Sequence, residues 1–404
     1  MKKGWQTKRL GDLFKIGSSK RVLKSQWKTE GVPFYRGREV TQLAADGFVD
    51  NELFISEKHF AELSRNYGVP KVDDIVITAI GTIGNAHVVR DSDRFYFKDA
   101  SVLWMRRSAE VSSAFVGLWL KSPAFFQQLD RGNGATVDTL TIQKLDSLII
   151  PLPPLPDQRR IVGILDEAFE AIATAKAAAE QNRQNARALF ESHLNDIFTR
   201  KGVGWVDKKL GELCEVFADG DWVESKDQSP DGIRLIQTGN VGKGVFKDRA
   251  DKARYISETT FTRLRCTEIF EGDCLISRLP DPVGRSCILP DTGVRMITAV
   301  DCTIVRFDKE RLLPKYFNHY SQSDDYLRTV AKECTGTTRN RISRHNLALT
   351  PICVPPISEQ NRLATEFDAM NEATTRLAAH YERKLALLEE LKKSLLHRAF
   401  AGEL

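Results

Sequence analysis

Between residues 358 and 400 the positions Leu363, Phe367, Met370, Thr374, Leu377, Tyr381, Lys384, Leu388, Leu391 and Leu395 step alternately by four and three, and only Thr374 and Lys384 among them are polar. That spacing predicts one long helix with a heptad seam. Residues 157–200 have the same texture: no proline, one glycine (Gly163), and a seam of Ile161, Leu165, Ala168, Ile172, Ala175, Ala179, Asn182, Ala186, Leu189 and His193. A seam so rich in alanine pairs poorly with itself and well with a bulkier one. The two helices are therefore predicted to form an intramolecular antiparallel coiled coil. Each is entered through a diproline, Pro153-Pro154 or Pro355-Pro356, with Asp157 or Ser358 placed to cap it.

The remaining residues read differently. Short β-branched and apolar runs such as Ile75-Val76-Ile77, Ser101-Val102-Leu103-Trp104-Met105, Asp273-Cys274-Leu275-Ile276 and Thr303-Ile304-Val305 sit between Gly- and Pro-rich turns and predict strands. Helical stretches are expected within them, at 114–129 and 314–332. The fold class predicted is α+β: two mixed α/β globules, 1–156 and 201–357, each followed by a long helix, 157–200 and 358–404.

The two halves are copies of one unit. Gly4-Trp5 and Lys8-Arg9-Leu10-Gly11-Asp12-Leu13 return 200 positions later as Gly204-Trp205 and Lys208-Lys209-Leu210-Gly211-Glu212-Leu213. At an offset of 202, Gly134-Ala135-Thr136 matches Gly336-Thr337-Thr338 and Pro153-Pro154-Leu155 matches Pro355-Pro356-Ile357. Gln158, Arg160, Leu189, Ser192, Leu194 and Phe198 match Gln360, Arg362, Leu391, Ser394, Leu396 and Phe400 at that same offset.

Charge refines the picture. The net charge of +5 in 404 residues is a mild excess. It lies in the globules: residues 1–156 hold 22 basic and 17 acidic side chains, and 201–356 hold 24 and 22. The helices are close to neutral. The start Met1-Lys2-Lys3-Gly4-Trp5 has no apolar stretch behind its lysines, and no uncharged run is long enough to span a bilayer. A cytoplasmic protein with no membrane contact is expected. The seven cysteines form no Cys-x-x-Cys pair and the histidines no His-x3-His, so free thiols are expected and no metal site.

Basic and amide side chains cluster in segments read as loops. One cluster is Lys20, Arg21 and Lys24 with Lys28, and another is Arg36 and Arg38, aligned with Gln237, Thr238 and Asn240 of the second repeat. Arg339, Arg341 and Arg344 form a third, and Arg278 and Arg285 flank the turn Leu279-Pro280-Asp281-Pro282-Val283-Gly284. Arg, Gln and Asn read base edges, while Lys and Arg hold phosphates. A solvated loop is the default reading of any one cluster. Their recurrence at matching places, with different residues in each copy, favours nucleic acid and two readers of different sequences.

Catalytic motifs are missing. No Gly-x4-Gly-Lys-Ser/Thr occurs, Gly242-Lys243 having Gln237 where the first Gly belongs, and Gly81-Thr82-Ile83-Gly84 reads as a tight turn between strands. The diprolines lack the Asn and aromatic of an amino-methyltransferase motif. Glu224-Ser225-Lys226 has no Pro-Asp upstream at nuclease spacing. No catalytic residue is assigned.

Two variable globules, each leading into a helix through Pro-Pro-Leu/Ile-x-x-Gln-x-x-Ile/Leu, resemble the DNA specificity (S) subunit of type I restriction–modification systems. The resemblance rests on residues 5–13 and 205–213, 134–136 and 336–338, and above all 153–161 and 355–363, with the ending Leu395-Leu396-His397-Arg398-Ala399-Phe400-Ala401-Gly402-Glu403-Leu404 also typical. It implies target recognition domains at 1–156 and 201–357, each reading half of a split site on double-stranded DNA, and spacer helices at 157–200 and 358–404 that set the gap. It implies a non-catalytic chain that binds no cofactor, partnered by two methyltransferase (M) subunits and two restriction (R) subunits that bring S-adenosylmethionine, ATP and Mg2+. Thr82, in the 81–84 turn, would then approach DNA, as would the turn near Gly284. Phe169 and Phe190, off the seam, would dock the methylating subunits or, alternatively, pack on their own globules. A self-sufficient nuclease or methyltransferase and a protein-binding scaffold remain as other classes.

Overall fold

The computed structural model describes residues 4–129, 139–336 and 340–404. The chain forms two compact units. The first runs to Ala179 and takes in Arg383–Leu404; the second is Glu180–Glu382. Each therefore holds one globule and a segment of both long helices, Leu155–Arg200 and Ile357–Ala401.

In the first unit a four-stranded antiparallel sheet has the order Phe14–Gly17, Val102–Arg107, Ile75–Thr78, Ala86–Val88. The inner strand Ile75–Thr78 is buried on both faces, which explains its unbroken apolar run. Alternation sends Ile75 and Ile77 into one core with Leu103 and Met105, and Val76 into another with Val102 and Trp104. A three-stranded sheet, Phe54–Ile55, Val32–Tyr35, Tyr96–Phe97, packs beside it. Gln6–Arg9 pairs antiparallel with Ile149–Leu152 and ties the ends of the globule together.

The second unit repeats this plan. Its four-stranded order is Cys214–Asp219, Cys302–Phe307, Cys274–Ser277, Ser286–Ile288, its three-stranded order Arg254–Ile256, Ile233–Ile236, Met296–Thr298, and its closing ribbon joins Val206–Lys209 to Pro351–Val354. The expected helical stretches are each two helices. Ser113–Trp119 and Pro123–Leu129 fill the first, and Pro314–Tyr320 and Asp324–Lys332 the second. Pro123 interrupts the first stretch, because a proline ring cannot continue a helix. In the second, the Ser323 side chain caps a new helix by accepting from the Tyr326 N–H.

The long helices begin at Leu155 and Ile357, so Asp157 and Ser358 lie inside the first turn instead of capping it. Carbonyls of Pro154 and Pro356 accept the first helical bonds, from Gln158 at 3.1 Å and Gln360 at 3.0 Å. The two glutamine side chains are buried clamps. Gln158 accepts from the Ser112 N–H at 2.9 Å and donates to the Pro153 carbonyl at 2.8 Å. Gln360 accepts from Leu313 at 2.8 Å and donates to Pro355 at 2.9 Å and Arg311 at 3.0 Å.

The antiparallel pairing is visible inside each unit. In the first, Arg160 donates to the Leu404 carbonyl at 3.1 Å and Lys176 pairs with Glu389, so partners descend as the first helix ascends. In the second, His193 meets Glu366 at 2.8 Å, and Phe190 and Phe198 lie against Phe367. The seam itself departs from the heptad. Leu363, Phe367, Thr374, Ala378, Leu396 and Ala399 are buried, while Leu377, Lys384 and Leu391 are exposed. On the first helix Phe190 replaces Leu189. On that helix the buried positions keep the seven-residue spacing from Leu165 through Ile172 and Ala179 to Ala186, then step by four through Phe190, Leu194 and Phe198.

Phe190 packs on its own globule: it belongs to the second core, with ring contacts to His319 and Phe367. Phe169 packs partly on the first core beneath the Lys392 ammonium, 5.1 Å from its ring centroid. All seven cysteines are free. Among the described residues no helix is long and apolar enough to cross a membrane.

The register predicts opposite fates for two neighbours. Phe190, 8% exposed, should cost about 3–5 kcal/mol when changed to Ala. Leu189, 53% exposed, should cost within about 0.5 kcal/mol. Urea unfolding of both variants checks this, and the reverse order would restore the heptad seam.

Candidate nucleic-acid interface

Antiparallel pairing brings particular strand ends to one edge of each four-stranded sheet. In the first unit these are the ends of Phe14–Gly17 and Ile75–Thr78 and the starts of Val102–Arg107 and Ala86–Val88. The loop carrying Lys20, Arg21 and Lys24 and the turn holding Thr82 both leave from this edge. Gly37, at the start of the helix Gly37–Asp46, sits over the Ser101 and Ile80 carbonyls, which brings Arg36 and Arg38 to the same place. In the second unit the matching edge gathers Asp219, Arg278, Arg285, Asp301 and Thr238.

The two turns are built alike. Gly84 and Gly284 adopt φ of +94° and +88° and press against helices behind them. A Cβ on Gly84 would lie 3.0 Å from Phe125, and one on Gly284 2.9 Å from Val330. Only glycine fits there. Thr82 is exposed at the tip of the first turn.

Several basic residues of the first unit reach solvent. Lys20 lies over the Tyr67 ring at 5.2 Å, Arg21 pairs with Asp99 at 2.8 Å, and Lys24 is exposed. Arg36 and Arg38 do not sit in a loop. Arg36 is the N-cap of a helix, and the buried Glu39 carboxylate holds both guanidiniums at 2.6 and 3.0 Å. Burial pushes the Glu39 carboxyl upward, but hydrogen bonds from the Arg36 side chain and backbone outweigh it and hold it at about 2. Arg38 is largely exposed and also reaches Glu52 at 2.9 Å.

Gln237 occupies the corresponding cap in the second unit, and Asn240 takes the place of Glu39. Its side chain accepts from the Gln237 N–H at 2.9 Å and donates to the Lys247 carbonyl at 2.8 Å, so Asn240 organises the loop internally. Thr238 is half-buried, its carbonyl an acceptor.

Two of the predicted arginines face inward. Arg285, 8% exposed, donates to the carbonyls of Val241 at 2.7 Å, Leu279 at 2.6 Å, Thr238 at 2.9 Å and Pro282 at 3.0 Å. It staples the turn to the Gln237 loop with four of its five N–H donors. Arg278, 4% exposed, pairs with Asp219 and donates to the Val300 carbonyl. Arg341 and Arg344 remain half-exposed, against Asp301 at 3.0 Å and Asp219 at 3.6 Å. Arg339, with Thr337 and Thr338, lies outside the described residues, as do Gly134, Ala135 and Thr136.

Sequence reasoning passed over Asp219 and Asp301, the partners of these arginines. A signal was present in the strand alignment, which sets Asp219-Gly220-Asp221 against Ser18-Ser19-Lys20. The loops that follow differ in sign: Lys20, Arg21 and Lys24 in one copy face Asp221, an exposed Trp222 and Ser225 in the other. Among the described residues no three His, Cys, Asp or Glu side chains are grouped to hold a metal ion.

The family model for the type I restriction modification DNA specificity domain matches residues 2–181 and 202–386. A Haemophilus influenzae protein named for type I restriction enzyme specificity subunits is 32% identical over 196 residues, 46% of this chain and 47% of its own. The EcoKI specificity subunit of Escherichia coli is 23% identical over 322 residues, covering 74% of this chain and 67% of its own. The chain thus spans half to two thirds of the length of these curated relatives. The fold matches a chain solved in work on complex assembly and conformational transition of the type I R-M system, with TM-score 0.78, 20% identity and coverage of 100% and 99%. It also matches the HsdS subunit from Thermoanaerobacter tengcongensis, with TM-score 0.65, 19% identity and coverage of 100% and 98%.

The internal role of Arg285 has a direct check. Arg285→Ala strips donors from four carbonyls and should destabilise the second unit by about 3 kcal/mol or more, read as a lower unfolding midpoint. Lys24→Ala, at an exposed residue, should leave the midpoint unchanged.

Proposed function

The chain belongs to the type I restriction modification DNA specificity family, and from that premise we propose that it reads a bipartite DNA site, one globule per half. The observation that carries this is the duplicated sheet edge. The same backbone frame gathers Lys20, Arg21, Lys24, Arg36, Arg38 and Thr82 in one unit and Gln237, Thr238, Arg341 and Arg344 in the other. One scaffold with two sets of side chains suits two half-sites of different sequence. Exposed Lys and Arg supply the salt-dependent hold on phosphates, and those that reach a groove supply discrimination.

In this reading the chain performs no chemical step in the cytoplasm where it acts. Two methyltransferase subunits bring S-adenosylmethionine, and two restriction subunits bring ATP and Mg2+. The long helices serve as spacer and docking surface, through exposed residues such as Leu377, Leu387 and Leu391.

The test is a methylation profile of DNA from cells carrying the complete system. Arg36→Ala with Arg38→Ala should relax one half of the recognised sequence, and Arg341→Ala with Arg344→Ala the other, at about 1–3 kcal/mol per lost base contact. Both pairs altering the same half would defeat the assignment of one globule to each half.

A further inference from the structure

Five charged side chains converge on the edge of the second unit. Arg278 Nη2 lies 3.1 Å from Asp219 Oδ1, and Arg344 Nε 3.6 Å from Asp219 Oδ2. Arg341 Nη2 lies 3.0 Å from Asp301 Oδ1, and the Asp301 carbonyl accepts the Arg278 N–H at 2.9 Å. One guanidinium is thus interior, with side-chain exposure of 4%, and two stand half in solvent at 47% and 49%. Two carboxylates shared by three guanidiniums leave one positive charge over. The network is also not closed on itself. Asp219 Oδ1, Asp301 Oδ1 and Arg278 Nε are buried without a hydrogen-bond partner among the described residues, so the close ion pairs lack aligned hydrogen bonds.

The fold does not require this cage. In the first unit the Ala79 N–H bonds the Ser101 carbonyl at 2.9 Å, as Arg278 bonds Asp301. Leu140 then bonds the Ala79 carbonyl at 2.8 Å, as Ile342 bonds that of Arg278 at 3.3 Å. By this register Asp219, Arg278, Asp301, Arg341 and Arg344 correspond to Ser18, Ala79, Ser101, Thr139 and Ile142. The same edge forms there with no charge at any of the five positions. Backbone contacts fix Arg341 further: its N–H and carbonyl both bond Thr335, at 2.9 Å each.

We propose that Asp219 and Asp301 are positioning residues for the second half-site, holding Arg344 and Arg341 in fixed directions toward the DNA. They also cancel part of the arginine charge, so that the arginines discriminate among bases instead of clamping any phosphate within reach. The buried Arg278 is the post on which the two carboxylates hang. This rests on the reading of the edge as a DNA-binding surface.

The experiment uses the complex assembled with its methylating subunits and three duplexes: the site given by the methylation profile, the site with its first half changed, and the site with its second half changed. Affinities are measured across a salt series for the unsubstituted complex, Asp219→Asn and Asp301→Asn. Each substitution should lower discrimination at the second half about tenfold and leave the first half unaltered. Each should also raise affinity for unrelated DNA and steepen its salt dependence by about 0.9 for the cation released. Unchanged discrimination and slope would overturn the proposal, as would equal loss at both halves. A double variant, Asp219→Asn with Arg278→Ala, recreates the uncharged pattern of Ser18 and Ala79. It should still fold, with a lower unfolding midpoint because the Val300 carbonyl loses its donor, while failing at the second half. Recovery of discrimination in that variant would mean that Asp219 only balances Arg278, and would also overturn the proposal. If the unsubstituted complex prefers none of the three duplexes, the DNA reading itself fails and this inference falls with it.

Discussion

Phe400 and Phe198 carry the constraint on which the architecture depends. Each ends a long helix and is buried in the core of a globule: Phe400 against Phe115 at 5.1 Å in the first unit, Phe198 against Tyr320 at 4.9 Å in the second. The two residues are equivalent in the repeat. The first globule is therefore completed by the far end of the second helix, with Leu396 and Ala399 beside Phe400, while the first helix contributes Ile161 and Leu165 to the same core. The second core mirrors this with Phe190, Leu194 and Phe198 from the first helix and Leu363 and Phe367 from the second. Burying three apolar side chains of this size is worth several kcal/mol, comparable with the net stability of a small domain. Neither repeat as written in the sequence is a complete folding unit.

A core closed in this way leaves the opposite end of each globule free to vary. Antiparallel pairing delivers loop after loop to one edge of the four-stranded sheet, and the glycines at 84 and 284 keep the hairpin turns tight against the helices behind. Charged side chains at that edge take two roles. Arg285 and Arg278 are drawn inside by carbonyls and a carboxylate, where burial pulls the Arg278 guanidinium down from its ordinary value and the Asp219 charge opposes that pull. Arg38, Lys24, Arg341 and Arg344 stay where a ligand can reach them. The edge is thus assembled from both inward staples and outward readers of one residue type.

Much of this was legible in the sequence, for reasons that can be named. The runs at 75–77 and 303–305 announced strands because a sheet covered on both faces leaves no polar alternation to blur the signal. The repeat and the proline-entered helices survived as offsets of 200 and 202. The predicted seam parts from the buried positions after Ala186 and Thr374, where a step of four carries burial to Phe190 and Ala378 instead of Leu189 and Leu377. The break before Ser323 was hidden, since Ser321 and Ser323 read as helix-compatible until their hydroxyls are seen bonding backbone. The candidate site was less legible. Arg285 and Arg341 look alike in the sequence, and only the carbonyls around one and the solvent around the other separate them. Asp219 and Asp301 were missed because an acidic residue near a proposed DNA edge looks out of place until its arginine partners are known.

The account stands on the claim that the end of the second helix completes the first globule. Its most direct test is hydrogen exchange on a chain cut after Leu391, which lacks Leu396, Ala399 and Phe400. The expected result is loss of amide protection in Val102–Arg107 and Ile75–Thr78, with protection kept in Cys302–Phe307 and Cys274–Ser277, whose core takes nothing from that segment. Full protection in the strands of the first unit after the cut would contradict it.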